Sequence, residues 1–383
     1  MTQETDDTLQ RRIALFVDEV KANRATNGTT EFCLGTAVGS VRDQNQDRAI
    51  IVQAEFSNAP ERNFLLGVVA DGMGGLISGD KAATIAVSVF VSRVLRASKL
   101  PIVERLRQAA FAANEAVFRA FRGRGGTTLS AMFVSSEERA IGLNVGDSRI
   151  YGINRYRELK QLSRDDTLGR MLGTRQVDPS QKDRLVQFVG IGEGMEPHIV
   201  SAEKLAFSSV LISTDGIHSS VPGAIVQLVK SPSTNIDLVR RLVSLSELIG
   251  NDNGTALTLP TQLSDAKEST AKGIDLRFWS AFDRMEIWIP SKSTEIQQQD
   301  LLRVELRDEP REGLAYTSPQ NNLDERPSER LVRKQKKKST TEKRSVGRHK
   351  KKGKSRDEGE AWLPIEDVDT PRLRISFPEK RRR

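Results

Sequence analysis

The stretch Phe64 to Asp80, FLLGVVADGMGGLISGD, sets one carboxylate between an apolar run and a cluster of glycines. Phe64 to Ala70 is apolar, broken only by Gly67, and reads as a fully buried strand. Gly72, Gly74 and Gly75 then mark a turn whose backbone takes unusual angles or lies close to something. An acid at the mouth of a buried strand is costly unless a positive group meets it. A metal ion, a basic side chain, or plain water on an ordinary Asp-Gly turn would each satisfy Asp71.

Four more acids occupy comparable places. Asp47 in SVRDQNQDRAIIV precedes an apolar strand by one arginine, and Asp215 in VLISTDGIH follows one. Asp252 in LIGNDNGTALTL stands just before an apolar strand, and Asp147 lies in LNVGDSRIY. Any one of them alone is an ordinary turn residue. Together they suggest a central sheet carrying its end residues into one cleft, where several carboxylates cannot all ionise without cations between them. Hard divalent ions, Mn²⁺ or Mg²⁺, prefer such oxygen ligands.

The rest of the 383-residue chain frames this cluster. Hydrophobic residues make up 37%, enough for a core, yet the mean hydropathy is −0.44, so something polar is appended to something globular. The lone Cys33 excludes a disulfide framework and a cysteine zinc site, fits a reducing compartment, and reads as a small core residue. The acidic start, MTQETDDTLQRR, is unlike a signal peptide, and no apolar run reaches membrane-spanning length. The expectation is a cytoplasmic protein with no transmembrane segment. The block Arg333 to Arg356 carries 13 Lys and Arg against Glu342 alone, a net +12 in a chain of net +8, so the remainder is mildly acidic at −4.

Leu9, Ile13, Phe16, Val17 and Val20 share one face of a short amphipathic helix over residues 8–22, expected to dock on its own domain, with the loop NRATNGTT after it. Two longer helices are predicted, Asp80 to Ser98, apolar nearly all round, and Ile102 to Phe121. TLSAMFVS, RAIGLNVG, RIYGINR, SSVLISTDG and GTALTLP read as strands, and RFWSAFDRMEIWI as one or two more. Paired helices and strands in series indicate α+β layers. Beyond Pro290 the composition is too polar to fold alone until EAWLPIEDVDTPRLRISFPEKRRR, a short sticky element on a tether. This gives an N-terminal helix and loop at 1–28, a main domain at 29–290 and a disordered basic tail at 291–383.

In order, RDQNQD, VVADGMGG, GGTTLS, LNVGDSRIY, STDGIH and NDNGT resemble the successive motifs of the metal-dependent protein phosphatases of the protein phosphatase 2C type. The resemblance spans roughly Glu31 to Pro260, and its short spacings are similar to the bacterial branch. It implies a four-layer αββα sandwich of two antiparallel sheets flanked by helices, with two Mn²⁺ or Mg²⁺ ions at one end and a third possible. It implies that Asp71 bridges the two ions, that the Gly72 carbonyl binds one, and that Asp215 and Asp252 complete the shell of the second ion. Asp47 would hold metal-bound waters, Asp147 would serve a weaker third position, and Arg42 would grip the substrate phosphate. Two such ions acidify a bridging water that attacks phosphorus in line, and an arginine fork matches phosphate oxygens better than lysine.

Departures from the pattern are specific. Gln46 replaces a common glutamate, which tunes metal affinity. Met73 stands where animal enzymes place a histidine. His218 is a tempting substitute acid, although a surface histidine on the turn after the strand is the favoured reading. Ser219 replaces an aspartate and weakens the third ion position. Thr127 and Thr128 are expected to be structural.

The resemblance implies hydrolysis of phosphoserine and phosphothreonine in proteins, opposite a Ser/Thr kinase, with specificity set by a flap around Leu162 to Gly194. The alternative is a catalytically weak scaffold of the same fold that binds phosphoprotein or kinase. The basic tail reads first as a solvated charge run and second as a site for an acidic protein partner. Nucleic acid or an anionic membrane comes third, since aromatic residues are absent from the basic block.

Overall fold

A computed structural model describes residues 4–73, 78–136, 139–173, 177–220, 222–231, 233–263 and 273–290. The expected tail, its terminal segment, Gly74 and Gly75 lie outside these residues.

Two antiparallel sheets form the centre. The first runs β1 (Arg24–Gly28), β2 (Cys33–Ala37), β11 (Gly254–Pro260), β10 (Ser209–Ser213), β7 (Arg149–Ile153) and β8 (Leu159–Gln161). The second runs β13 (Arg284–Pro290), β12 (Gly273–Trp279), β3 (Arg48–Phe56), β4 (Phe64–Ala70), β5 (Leu129–Val134), β6 (Arg139–Val145) and β9 (His198–Glu203). Leu34, Ile51, Leu65, Met132, Val210 and Leu257 fill the space between them. β4 is buried on both faces, as its unbroken apolar run requires. Its one interruption has a cause: a Cβ on Gly67 would lie 2.7 Å from Leu257 Cδ2, so glycine lets the facing sheet close in.

Helices cover both outer faces. α1 (Glu4–Asp18), α2 (Gly79–Arg96) and α3 (Ile102–Phe121) pack over the second sheet. α5 (Asp215–His218), α6 (Pro222–Lys230) and α7 (Asn235–Ile249) pack over the first, and α4 (Leu168–Leu172) lies between β8 and β9. The fold is therefore the four-layer αββα sandwich. α2 is apolar nearly all round because it is wedged between β3 and β4 below and α1 and α3 beside it.

The N-terminal segment differs from expectation in two ways. α1 does dock on the domain through Leu9, Ile13 and Val17, but it stops at Asp18 and leaves Val20 exposed. The segment read as a loop contains β1, which pairs with β2 from Arg24↔Ala37 to Gly28↔Cys33. Its polar residues hid it, because an edge strand needs little apolar surface and is held by its backbone ladder. RFWSAFDRMEIWI resolves into the end of β12, a turn, and β13.

The register fixes one functional end. Arg48 opens β3 opposite Ala70, the last residue of β4, and Leu129 opens β5 opposite Val145, the last of β6. In the other sheet Arg149 pairs with Ser213, and Gly254 with Ala37. The chain crosses between the sheets at this same end three times, from β2 to β3, from β6 to β7 and from β8 to β9. Residues just outside these termini are thereby brought together.

Candidate active site

Asp47, Asp71, Asp147, Asp215 and Asp252 all lie one or two residues beyond strand termini at this shared end. Asp71 follows β4, and its backbone is clamped on both sides. Its N–H donates to Thr128 Oγ1 (2.9 Å), and its carbonyl accepts from Thr128 N–H (2.9 Å) and Thr127 Oγ1 (2.7 Å). The threonines of GGTTLS thus hold Asp71 in place. Gly72 is hemmed in as well, since a Cβ there would fall 2.4 Å from the Gly79 carbonyl oxygen and 2.6 Å from that of Gln46.

The acids act on one another's charge. Burial, then the charges of Asp47, Asp215, Asp147 and Asp252, push the Asp71 carboxyl well above the ordinary range. Its neighbour Asp215 is itself raised by burial and by Asp252. Asp47 is pushed up to about 8 by burial, against hydrogen bonds from Thr255 and Thr214, with Asp215 and Asp252 adding to the rise. Burial and the neighbouring Asp215 raise Asp147 to about 7. Burial first and the neighbouring carboxylates second hold Asp47, Asp71, Asp147 and Asp215 back from ionising.

Asp47 supplies the sharpest test of what the cluster can hold. Its Oδ2 accepts from Thr214 Oγ1 at 3.0 Å, while Oδ1 is the one buried side-chain oxygen or nitrogen among the described residues with no hydrogen-bond partner. An orphaned carboxylate oxygen amid mutually repelling acids fits a hydrated divalent cation. Among the described residues no three His, Cys, Asp or Glu side chains close round one point as a cage. Ions here would complete their shells with carbonyl and water oxygens.

Arg42 stands at the rim, exposed, with Nη2 2.6 Å from Asp252 Oδ2. Asp252, Asp71 and Asp215 all strengthen its positive charge. Asn253 organises this rim: its Oδ1 accepts from Gln46 N–H (2.8 Å) and its Nδ2 donates to the carbonyls of Val38 and Gln44. The loop carrying Arg42 is thereby tied to the turn carrying Asp252. Asn253, Thr214 and Thr255 were not singled out in the sequence, although their letters lie within NDNGT and STDGIH.

On the Asp147 side, Arg149 grips Asp165 through Nε (2.9 Å) and Nη2 (2.6 Å). Buried Asp166 accepts from Gly146 N–H (2.8 Å) and Gln187 Nε2 (2.7 Å) and meets His198 Nε2 at 2.7 Å. The flap base is thus anchored to the turn that bears Asp147.

His218 corrects the reading of it as a surface residue. α5 tucks inward beneath α7, so the ring is only 3% exposed and its Nδ1 meets Ser213 Oγ at 3.1 Å. Burial, with Arg149 adding to it, lowers its pKa to about 3. A buried neutral imidazole does not serve as a general acid near pH 7. Cys33 is a core residue as expected, 1% exposed, its thiol pushed up to about 12 by burial.

The family model described as Protein phosphatase 2C matches residues 35–244, more than half of the chain. The protein phosphatase PhpP of Streptococcus pneumoniae serotype 2 is 28% identical over 257 residues, covering 62% of this chain and 100% of that protein. The serine/threonine phosphatase stp of Listeria monocytogenes serovar 1/2a is 26% identical over 245 residues, 59% of this chain and 94% of that one. Among solved structures, an arginine-to-lysine variant of a bacterial serine phosphatase matches with a TM-score of 0.52 at 25% identity, over 62% of this chain and 99% of that chain. Motif order, layered fold and family match agree, and the chain belongs to the protein phosphatase 2C family.

Proposed function

We propose that the protein hydrolyses phosphoserine and phosphothreonine in proteins, using two divalent cations held by the acid cluster, and so opposes a Ser/Thr kinase in the cytoplasm. The observation that carries this is the convergence of five carboxylates around an orphaned Asp47 oxygen. No helix among the described residues is long and apolar enough to cross a membrane.

Asp71 would lie between the ions, with the Gly72 carbonyl, Asp215 and Asp252 as further ligands and Asp147 at a weaker third position. Mn²⁺ and Mg²⁺ both suit this all-oxygen set. Bound there, the ions acidify water and offset the charge that builds on the phosphoryl oxygens. The chain's own residues do the positioning. Asp47 Oδ1, without a protein partner, is available to orient a water. Arg42 exchanges Asp252 for the phosphate, its planar fork taking two oxygens. Asp71 would hold a cation as the ionised carboxylate, the cation offsetting the neighbouring charges that otherwise favour its protonated form. His218 is neutral and buried and Met73 carries no proton, so the proton for the leaving oxygen would come from water in the cleft or from another side chain.

The reading is tested by phosphate release from phosphothreonine, phosphoserine and phosphotyrosine peptides with Mn²⁺, Mg²⁺ or EDTA. The expected result is cation-dependent turnover of the first two. A folded protein inert under every condition would bring forward the scaffold reading.

A further inference from the structure

At the opposite end of β4 from Asp71 lies a cleft of about 220 Å³. Seven strand residues separate the two, roughly 20 Å. The cleft is framed by Phe56, Phe64 and Phe133 from the strands, Leu100 and Ile102 from the turn into α3, and Arg105. None of the residues assigned to catalysis contributes to it.

Arg105 is the unusual member. It is only 7% exposed, yet no carboxylate among the described residues acts on its charge; the charged group that does is another cation, Arg62. Its Nε donates to the Val94 carbonyl, and its guanidinium lies over the rings of Phe64 (5.4 Å) and Phe133 (5.2 Å). The Nη groups are given no partner by the protein among the described residues. Arg62, over Phe56 at 4.7 Å, lines the same cleft. Burial, reinforced by Arg62, lowers the Arg105 pKa to about 10, as for a cation lacking its counter-charge.

A third positive feature points the same way. Pro101 caps α3 without a side-chain hydrogen bond, and the first helical backbone bond is Arg105 N–H to the Pro101 carbonyl. The first-turn amides of this 20-residue helix, at the cleft wall, retain donor capacity and the positive end of the helix dipole. Glu61 is the one acid lining the cleft; it is exposed, and its carbonyl accepts from Ser136 Oγ.

We propose that this cleft binds a small amphiphilic organic anion, its oxyanion head on Arg105, Arg62 and the α3 amides and its apolar body against the phenylalanines. A guanidinium fork accepts carboxylate and phosphate heads alike, so the test separates them. The full-length protein is titrated with 4-fluorophenylacetate, with 4-fluorophenylphosphonate and with neutral 4-fluorophenylacetamide, following ¹⁹F line widths and the thermal midpoint.

The expected result is saturable binding of at least one anion, with the amide at least about tenfold weaker. Arg105→Met weakens it by about tenfold or more and Arg62→Gln by several-fold, while Arg42→Gln leaves the carboxylate's affinity unchanged. Preference between the two anions identifies the head group. Arg62 is exposed, so Arg62→Gln and the amide control decide the matter even if Arg105→Met does not fold. Equal affinity for acid and amide, insensitivity to Arg62→Gln, sensitivity to Arg42→Gln, or no binding at about 10 mM, well beyond ordinary metabolite-range affinities, overturns the proposal.

Discussion

Asp47 is an acid kept where acids are unstable. With Asp47 at about 8 and Asp147 at about 7, the cation-free folded protein binds more protons than the unfolded chain between about pH 4 and pH 8. Both folded values lie above the ordinary carboxylate value, so the stability they contribute is full below pH 4 and is lost as pH rises to 8. Urea midpoints in EDTA at pH 5, 6.5 and 8 are expected to fall in that order, by an amount on the order of a few kcal/mol. Saturating Mn²⁺ removes the decline by supplying the missing counter-charge. Midpoints that stay level or rise with pH in EDTA would show that the acids are not mutually strained. Arg42 belongs to the same scale: Arg42→Lys keeps charge but loses the fork, and KM for a phosphothreonine peptide should rise about three- to tenfold with kcat changed less.

At the scale of elements, the buried strand and paired helices were legible because their signals are strong and local. β4 is an unbroken apolar run, and α2 and α3 lie within two residues of their predicted bounds. β1 was not legible, since Arg24–Gly28 is polar and its strand character comes from pairing with residues that follow it. The site acids were legible as strand-end residues. Thr127 and Thr128 were legible as structural residues, but Thr214 and Asn253 were not, since they act through contacts between segments distant in the chain. Arg48 is another such tie. It is 5% exposed, pairs with Asp18 at the end of α1 (3.0 Å), and donates to Thr84 of α2 and to the carbonyls of Asn45 and Asp47. Arg48→Leu strands these acceptors and should cost roughly 3–5 kcal/mol in urea unfolding. A loss below about 1 kcal/mol, the range of exposed pairs, would mean that α1 is not anchored through this residue.

For the whole molecule, function follows from two sheets ending together. The β2–β3 and β6–β7 crossings pin the sheets at one end, and Asp47 and Asp147 ride on those crossings. The thirteen strands among the described residues are complete by Pro290. A chain ending at residue 290 should therefore keep kcat/KM on p-nitrophenyl phosphate within about twofold and unfold at a similar midpoint. A drop beyond tenfold would assign a catalytic part to the basic segment. The measurement that tests the central claim most directly is calorimetric titration of Mn²⁺ into the EDTA-stripped, full-length protein and its Asp71→Asn variant. Two or more ions per wild-type chain are predicted, with affinity for at least one reduced by about a hundredfold in the variant. Fewer than two ions in the wild type, or unchanged binding in a folded Asp71→Asn protein, would contradict the assignment of the acid cluster as the cation site.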